Sequence, residues 1–397
     1  MLIGEKALST PMDELWSKYT AYLNQLNEVV ARLIMALTRA NPRNVSEVAR
    51  VTGLSPSLAH YYLKRLVERR FLKITTKVNY PRIGLRPSQV LIETSPDKRK
   101  FVHEALKVND YWHYIAPCYG HFNGFYMGAI VPFGKEIEFR LFLDTLQERG
   151  LIKRFSIDWL EDIIDISRGF YWFDFKRKKW IFRWDDWVKE VMNAHYVPVK
   201  NSINTNGTYF SFKPDFTDIF ILKELEKDAC VSFREIASKL DITSPAVRYH
   251  YYNHVIRFNL IKGYRPVVLP YPPSVSDLFI FCIEFYDDVS LGKFINSLNG
   301  KPFTTSVSKV ANRCKVYMDV YLPKTEFFNF VDALVRLSDI NIVLDFNYVI
   351  LDFKKYSRQT IPYERYVDGK WVYSHKEYIS KVQTIAKKVS KLYSMST

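Results

Sequence analysis

Apolar positions along the chain follow two kinds of spacing in alternation, and the alternation occurs twice. Residues 29–37 place apolar side chains at helical spacing, and shorter helical patterns continue to about residue 70. Strand-length apolar runs and amphipathic helices then follow in the order strand–helix–strand–strand–helix–strand, which is the ferredoxin-like order. The same succession starts again near residue 215. The pattern predicts an α+β fold in which two winged helix-turn-helix domains alternate with two ferredoxin-like (βαββαβ) domains.

The two halves also match residue by residue, which indicates an internal duplication. Adding 188 to a residue number in the segment from Val45 gives its counterpart in the segment from Ser232. The matches include Glu47 with Glu235, Ala49 with Ala237, and Tyr61 with Tyr249. Further along, FYMGAIVP at Phe125 is similar to VYMDVYLP at Val316.

These patterns divide the chain into six segments. The first half contains a winged helix-turn-helix domain over residues 1–82, a ferredoxin-like domain with an aromatic and basic hairpin over residues 86–190, and a linker over residues 191–214. The second half contains a winged helix-turn-helix domain over residues 215–268, a ferredoxin-like domain over residues 275–372, and a C-terminal amphipathic helix over residues 373–397.

Charge indicates an anionic partner. The chain has 57 Lys and Arg against 42 Asp and Glu, which gives a formal charge of +15 and a pI near 9.4. Such an excess favours nucleic acid or an anionic membrane surface. The membrane is the weaker option, because the longest apolar runs, such as Leu278–Ile283, are only strand-length. The N-terminus lacks the pattern of a secretory signal and the four cysteines lack paired spacing, so we expect a cytoplasmic, nucleoid-associated protein.

The helical segments carry the turn residues of a helix-turn-helix. Gly53 can take a left-handed conformation after the second helix, and Ser55-Pro56 supplies an N-cap followed by proline at the first helical position. Thr243 or Ser244 and then Pro245 do the same in the second copy. The third helix of each copy is therefore predicted to enter a DNA major groove with its exposed N-terminal half.

Polar and basic residues on the predicted recognition helices are the candidate DNA contacts. In the first copy they are Ser55, Ser57, His60, Tyr61, Lys64, Arg65 and Arg69. In the second copy they are Thr243, Ser244, Arg248, Tyr249, Tyr252 and Arg257. Lys262 and Arg265 add further positive charge to the second region, which suits phosphate neutralisation. The alternative is that the two trihelical domains serve as scaffolds that do not bind DNA.

The order of these elements resembles that of the Lrp/AsnC family of prokaryotic transcription regulators, over most of the chain and twice over. That resemblance implies an effector domain with a Gly-x-x-Asp turn near which small ligands such as amino acids bind. The matching turn is Gly120-His121-Phe122-Asn123, so Gly120 and Asn123 are the candidate effector-binding residues. The arginine usual in the family's recognition helix is replaced by Tyr62 and His250.

The resemblance also implies how the halves are arranged. In that family two subunits pair their effector domains and present two DNA-reading heads, so one chain holding both halves is expected to form an intramolecular pseudo-dimer. Because the two recognition helices differ in sequence, we expect two non-identical half-sites. The apolar stripe of the C-terminal helix packs on the chain's own core in the preferred interpretation. In the alternatives it joins two chains in a homodimer, or lies on DNA or membrane.

Two other functions fit the same pattern of domains. An architectural protein would coat or bend DNA with little sequence preference, and the aromatic and basic stretch Trp172–Trp187 would suit it. Sirohaem decarboxylases are enzymes built on a similar plan, sometimes as fused pairs. His113, Tyr114 and His121 would be the candidate residues for such chemistry.

Catalytic and metal sites are not predicted. His113, Cys118 and His121 are close in sequence, but positions 113 and 118 point to opposite faces of one strand. His250 and His254 share a helix face and lack the Glu between them that a zinc protease motif requires. We therefore expect a DNA-binding transcription regulator that is not an enzyme and that has no cofactor and no metal.

Overall fold

The computed structural model of the protein describes residue 24 and residues 26–68, 72–166, 169–196, 212–268 and 270–394. Arg69, a predicted DNA contact, lies outside the described residues, and so does most of the predicted linker. Among the described residues, no helix has both the length and the apolar run that crossing a bilayer requires.

The first half begins with three short helices and one strand. They are α1 (Glu28–Ala36), α2 (Val45–Thr52), α3 (Pro56–Glu68) and β1 (Lys73–Val78). The side chains of Asn27 and Asn44 cap α1 and α2 by accepting backbone N–H groups. Gly53 ends α2 with a φ of 68°, the left-handed conformation expected from the sequence.

The first ferredoxin-like domain follows in the predicted order. Its elements are β2 (Leu85–Glu93), α4 (Arg99–Leu106), β3 (Trp112–Gly120), β4 (Gly124–Pro132), α5 (Glu136–Glu148) and β5 (Arg154–Asp165). A short hairpin, β6 (Phe173–Asp174) with β7 (Lys179–Trp180), and a helix, α6 (Trp184–Asn193), come next. The predicted aromatic and basic hairpin thus forms only as the short pair β6–β7, and the end of the stretch Trp172–Trp187 begins a helix, in which Trp184, Trp187, Val188 and Val191 recur at helical spacing and are buried.

The second half repeats this order. Its helical part consists of α7 (Phe216–Lys227), α8 (Phe233–Leu240), α9 (Ser244–His250), a π-helical continuation of α9 (Tyr251–Ile256) and β8 (Ile261–Val267). Its ferredoxin-like part consists of β9 (Ser276–Phe285), α10 (Asp288–Ser297), β10 (Thr304–Val310), β11 (Lys315–Pro323), α11 (Phe327–Asp339) and β12 (Val343–Leu351). The chain continues through β13 (Ser357–Arg358), β14 (Tyr366–Val367), β15 (Lys370–Trp371) and α12 (His375–Ser394). The predicted fold class is confirmed.

The two ferredoxin-like sheets join edge to edge into a closed barrel. The sheet order β12-β9-β11-β10-β5-β2-β4-β3 contains two antiparallel ferredoxin-like sets of four, and an additional pairing of β12 with β3 closes the ring. One seam pairs β10 with β5, and the other pairs β12 with β3. Closure pairs the strands that would be edges of each sheet, so neither set of four keeps an open edge.

Charged side chains lie buried at the β5–β10 seam. The Lys309 ammonium lies 2.8 Å from a Glu161 carboxylate oxygen, and Lys315 lies 3.0 Å from Asp158. The Tyr317 hydroxyl donates a second hydrogen bond to Asp158 at 2.6 Å. Removing one partner of such a buried pair leaves an uncompensated charge, so the pairs fix which strands meet at this seam.

The helix that follows each ferredoxin-like domain packs on the ferredoxin-like domain of the other half. Helix α6, which follows the first domain, buries Trp187 and Val191 in the core formed by α10, α11 and the second sheet. Helix α12, which follows the second domain, buries Tyr378 and Val382 against α4, α5 and the first sheet. The apolar stripe of the C-terminal helix thus packs on the chain's own core, as preferred, so it does not supply the surface for the alternative homodimer.

The two helix-turn-helix domains share one two-stranded ribbon. Strand β1 pairs antiparallel with β8, with Thr75 opposite Arg265 and Lys77 opposite Gly263. Each domain therefore contributes one wing strand to a common ladder instead of forming a wing hairpin of its own. Ile74 of β1 and Tyr264 of β8 are both buried in the core of the first domain, so the ribbon connects the domains by backbone hydrogen bonds and by packing.

We expect Trp187→Ala to destabilise the protein strongly, although Trp187 lies on α6 and not on any of the βαββαβ elements of the two ferredoxin-like domains. Trp187 is fully buried, stacks on Phe330 with ring centroids 5.8 Å apart, and donates to the Ser297 hydroxyl at 3.1 Å. The cavity left behind should cost about 3–5 kcal/mol of unfolding free energy, measured by urea denaturation. The control Phe328→Ala removes a side chain that is 78% exposed and should cost less than about 0.5 kcal/mol. Equal losses for the two variants would contradict this account.

Candidate functional site

The first recognition helix, α3, presents the predicted residues on its outer face. Ala59, Leu63 and Leu66 are buried in the domain core. The residues left exposed are Ser55, Ser57, His60, Tyr61 and Lys64. The Ser55 hydroxyl accepts a hydrogen bond from the Leu58 backbone N–H at 3.3 Å, so Ser55 acts as the predicted helix cap.

One basic residue of α3 is held against a tyrosine. Arg65 is half-buried and donates a hydrogen bond to the Tyr61 hydroxyl at 3.0 Å, with its guanidinium 5.9 Å from the ring centre. Lys64 lies 3.8 Å from Glu68 in an exposed pair that contributes little stability. Arg65 and Tyr61 therefore form one preordered polar unit on the outer face. Arg69 lies outside the described residues.

The second recognition helix, α9 with its π-helical continuation, has the same layout. The Thr243 hydroxyl caps it by accepting the Ala246 N–H at 3.4 Å, and Val247, Tyr251 and Val255 are fully buried. The predicted residues Thr243, Arg248, Tyr249, Tyr252 and Arg257 are exposed, and Ser244 is half-buried. The Arg248 guanidinium lies 5.7 Å from the centre of the Tyr252 ring. Both recognition helices thus hold an arginine in contact with an exposed tyrosine, and the arginine is half-buried in the first and exposed in the second.

Two basic residues of the second helical domain lie on its wing strand, β8, and not on its recognition helix. Lys262 and Arg265 lie on β8 and line a cavity of about 200 Å³ between the ribbon and the barrel. Lys262 is nevertheless exposed and Arg265 is half-buried, so phosphate neutralisation by these two charges stays a prediction.

The cavity collects charged groups from distant parts of the chain. Lys77 of β1 and Arg358 of β13 join Lys262 and Arg265 on its wall, against the acids Glu161 and Glu226. Glu161 is already paired with a barrel lysine. Tyr80, His113, Tyr114 and Tyr126 also line the cavity. The arrangement suits a small anionic ligand that could contact the ribbon and the barrel at once.

His113 is held neutral at the cavity wall. Its Nδ1 lies 3.8 Å from a Glu226 oxygen, a contact that would be an ion pair only if the imidazole were protonated. Burial, followed by the charges of Arg358 and Arg265, lowers the pKa of His113 to about 3. Burial also raises the pKa of Glu226, which accepts hydrogen bonds from the Tyr80 hydroxyl at 2.5 Å and the Ile361 N–H at 3.0 Å.

The predicted effector residues Gly120 and Asn123 lie at the barrel seam and not at this cavity. Gly120 pairs with Val349 of β12, and its φ is 119°. A Cβ at this position would lie 3.0 Å from the Tyr348 carbonyl oxygen, so close strand approach explains the glycine. The Asn123 amide closes the turn by hydrogen bonding to Gly120 at 3.5 Å. Effector binding by these two residues stays a prediction.

The His and Cys residues that are close in sequence are separated in space. His113 lines the cavity, Cys118 is buried inside the barrel, and His121 follows the turn-forming Gly120 on the surface. Burial raises the pKa of the Cys118 thiol to about 12, so it stays protonated at neutral pH. Of the three residues considered for tetrapyrrole chemistry, His113 and Tyr114 line the cavity and His121 does not.

The aromatic and basic stretch considered for architectural DNA binding is mainly a packing element. Trp172, Trp184 and Trp187 are buried in the core beneath the second sheet, and Phe173 in the core of the first helix-turn-helix domain. The stretch therefore does not present Trp172, Trp184 and Trp187 for stacking or insertion into DNA, while its basic residues 176–179 are exposed, and architectural DNA binding stays a prediction.

Sequence comparisons identify both helical domains. Residues 28–73 match the IclR helix-turn-helix domain, and residues 217–251 match a winged helix-turn-helix DNA-binding domain. The predicted helix-turn-helix assignments are thereby confirmed, and the chain is a helix-turn-helix plus ferredoxin-like protein. No curated protein sequence matches the chain.

Solved structures share its shape to a limited degree. The siroheme decarboxylase NirDL aligns over 91% of this chain and 100% of its own, at 10% identity and a TM-score of 0.48. An AsnC family transcriptional regulator from Agrobacterium tumefaciens aligns over 36% of this chain and 94% of its own, at 14% identity and a TM-score of 0.27. A transcriptional regulator from Neisseria meningitidis in complex with L-Met aligns over 37% and 97%, at 16% identity and a TM-score of 0.27.

Sequence reasoning missed the cavity as a site. Its charged residues come from β1, α7, β8 and β13, which are far apart along the chain and carry no shared motif. Only the pairing of β1 with β8 and of β13 with β3 brings them together. The sequences of these described elements contain no local pattern that predicts the cavity.

We expect the lowered pKa of His113 to make stability depend on pH. Because an unfolded histidine binds a proton near pH 6.5 and His113 does so only near pH 3, the unfolded state binds more protons between these values. Stability should therefore fall as pH drops from 7 to 5, with a contribution from His113 of about 1–2 kcal/mol.

Replacing His113 by Gln removes this contribution and tests it. The pH dependence of the unfolding free energy between pH 7 and 5 should be shallower in His113→Gln than in the wild type. His121→Gln is the control, because it removes a histidine on the surface and outside the cavity. Parallel pH profiles for the wild type and His113→Gln would contradict the assignment.

Proposed function

We propose that the protein is a sequence-specific transcription regulator that binds double-stranded DNA as a single-chain pseudo-dimer. The observation that carries this proposal is the pairing of β1 with β8 beneath two helix-turn-helix domains that share one chain. We infer that the halves arose by duplication, because the three helices and the wing strand of the first helix-turn-helix domain recur at an offset of 188 residues and the ferredoxin-like elements recur in the same order at slightly larger offsets. The chain acts on the nucleoid, in the cytoplasm.

The two heads read different half-sites. The first exposes Ser57, His60, Tyr61 and Lys64, and the second exposes Arg248, Tyr249 and Tyr252. Lysine and histidine on one helix and arginine on the other offer different donors to base edges. Because the heads cannot exchange places within one chain, the preferred site is asymmetric.

A small anionic effector, such as an amino acid carboxylate, binds the cavity between ribbon and barrel. Arg265 and Lys262 belong to the ribbon that joins the heads, and Arg358 is paired to the barrel through β3. A ligand contacting both would change how the ribbon sits on the barrel, and hence how the heads are spaced. Gly120 and Asn123 remain the second candidate position for an effector.

Tetrapyrrole decarboxylation is the second candidate function, because His113, Arg265 and Arg358 converge on one cavity. Its volume of about 200 Å³ is small beside the roughly 300–1,000 Å³ of ordinary ligand pockets. A tetrapyrrole would require the ribbon to move away from the barrel. The regulator therefore takes precedence over the enzyme.

Binding to random duplex DNA over a salt series, with sequencing of the bound fraction, tests the function. We expect a steep fall of affinity with salt and enrichment of one asymmetric motif with two unlike halves. A steep salt dependence without a motif would favour the architectural function. No binding at low salt, together with a visible absorption change on adding an iron tetrapyrrole, would favour the enzyme.

Head variants test the half-site assignment. Tyr61→Ala with Lys64→Ala should remove enrichment of one half-site, and Arg248→Ala with Tyr249→Ala should remove enrichment of the other. Each lost phosphate contact should lower the salt slope by about 1. Ile137→Ala, at an exposed position on α5, is the control and should change neither half. Loss of both half-sites in either double variant would contradict independent heads.

A further inference from the structure

Four potential metal ligands converge at the base of the second recognition helix. Asp215 is the N-cap of α7 and Asp218 lies one turn further, while His250 ends α9 and His254 lies in its π-helical continuation. One ligand atom from each of the four residues lies within 4.8 Å of the others. The remaining described residues contain no other such group.

The distances match those between ligands of one metal ion. Nδ1 of His250 and Nδ1 of His254 each lie 2.9 Å from the same Asp218 oxygen, and Nδ1 of His250 lies 3.7 Å from Asp215. Ligands about 2.0–2.2 Å from a metal, at angles of 90–110°, are about 3–3.5 Å apart. Both imidazoles turn the same ring nitrogen inward.

The burial and charge of the cluster also suit a cation. Asp218 is fully buried, and the histidines are about one-fifth exposed, while Asp215 opens the cluster to solvent with a side chain that is 53% exposed. Among the described residues, no Lys or Arg side chain forms an ion pair with either aspartate. A cation is therefore able to enter without displacing a basic side chain.

The first helix-turn-helix domain provides an internal comparison. At the offset of 188, the four positions are occupied by Asn27, Val30, Tyr62 and Leu66. Asn27 is the N-cap of α1 and Asp215 is the N-cap of α7, so the two domains are correctly aligned at this offset. Val30 and Leu66 are core residues there, which shows that this fold does not require charge at these positions. Two aspartates and two histidines replace them together in the second domain.

Local backbone geometry favours the same interpretation. The helix changes from α to π at Tyr251, between the two histidines, whereas α3 of the first domain is α-helical throughout its described length. π-Helical turns are rare and occur frequently at functional sites. The two imidazole centres are 4.6 Å apart. Phe212 closes one side of the cluster, with its ring 5.0 Å from that of His254.

We propose that Asp215, Asp218, His250 and His254 form a binding site for a divalent first-row transition metal such as Zn²⁺. Two imidazoles select such a metal over Ca²⁺ or Mg²⁺, which prefer oxygen ligands throughout. The ion ties the start of α7 to the recognition helix and stabilises the second domain, because binding occurs only when both elements are in place. This proposal does not depend on DNA binding.

Metal binding by the full, tag-free chain is the first test. After chelator treatment and dialysis, isothermal titration with Zn²⁺ should show about one high-affinity site per chain and a rise in melting temperature. Addition of Co²⁺ should give visible d–d absorption that Zn²⁺ abolishes. Absence of Zn²⁺ binding at 100 μM metal would overturn the proposal.

The variants His250→Tyr and His254→Leu place the first domain's residues at the matched positions. The double variant should fold, as judged by circular dichroism, and should bind Zn²⁺ at least 100-fold more weakly. His60→Ala, at an exposed position of α3, is the matched control and should retain wild-type affinity. Unchanged stoichiometry and affinity in the double variant would overturn the site.

A second readout needs no variant. In the wild-type chain loaded with Co²⁺, the exchangeable Nε2–H protons of two metal-bound imidazoles should give two strongly shifted proton NMR signals that disappear in D₂O. Fewer than two such signals would overturn ligation by both histidines. None of these metal-binding experiments contains DNA, so failure of the metal site and failure of the proposed function are distinguishable.

Discussion

Pairing of sheet edges is the constraint on which the rest of the structure depends. A four-stranded ferredoxin-like sheet exposes unpaired N–H and C=O groups along two edges, and such edges invite association with other chains. Here β5 pairs with β10 and β3 with β12, so the two sheets satisfy each other within one chain. The buried pairs Glu161–Lys309 and Asp158–Lys315 then distinguish the β5–β10 seam from other edge pairings.

The two halves also cover and pair with each other through their helices and through the ribbon. Helix α6 covers the second sheet, α12 covers the first, and β1 and β8 complete one ladder. Neither half could bury its own apolar surfaces as fully without the other, because Trp187 and Tyr378 have their cores across the molecule. The second helical domain is likewise tied to the barrel by packing, because Leu85 and Ile130 share one buried core with Ile219.

Sequence periodicity predicted the elements well, because burial on one face leaves a local pattern. Strand β4 has the predicted bounds, Gly124–Pro132, and the caps at Ser55 and Thr243 form as expected. What the pattern could not predict is which element pairs with which. The cavity was missed because it depends on long-range pairing, which has no local signal. The helix that begins at Trp184 does have a local signal, the helical spacing of its buried residues, which the alternation of aromatic and basic residues before it obscured.

Comparison of the two halves separates the positions that the fold requires from those that it leaves free to vary. Positions that keep their chemistry at the offset of 188, such as Ala49 with Ala237 and Leu72 with Leu260, are buried in both halves and maintain packing. Positions that change chemistry without loss of the fold are free to serve one half only. Exposed Lys64 and Tyr252 belong to this second kind, because neither residue is needed to hold its helix in place. A symmetric dimer cannot divide its residues in this way, since each substitution would appear in both heads. The two halves of one chain can therefore differ at exposed positions of α3 and α9 while the buried positions that hold each helix on its core stay alike.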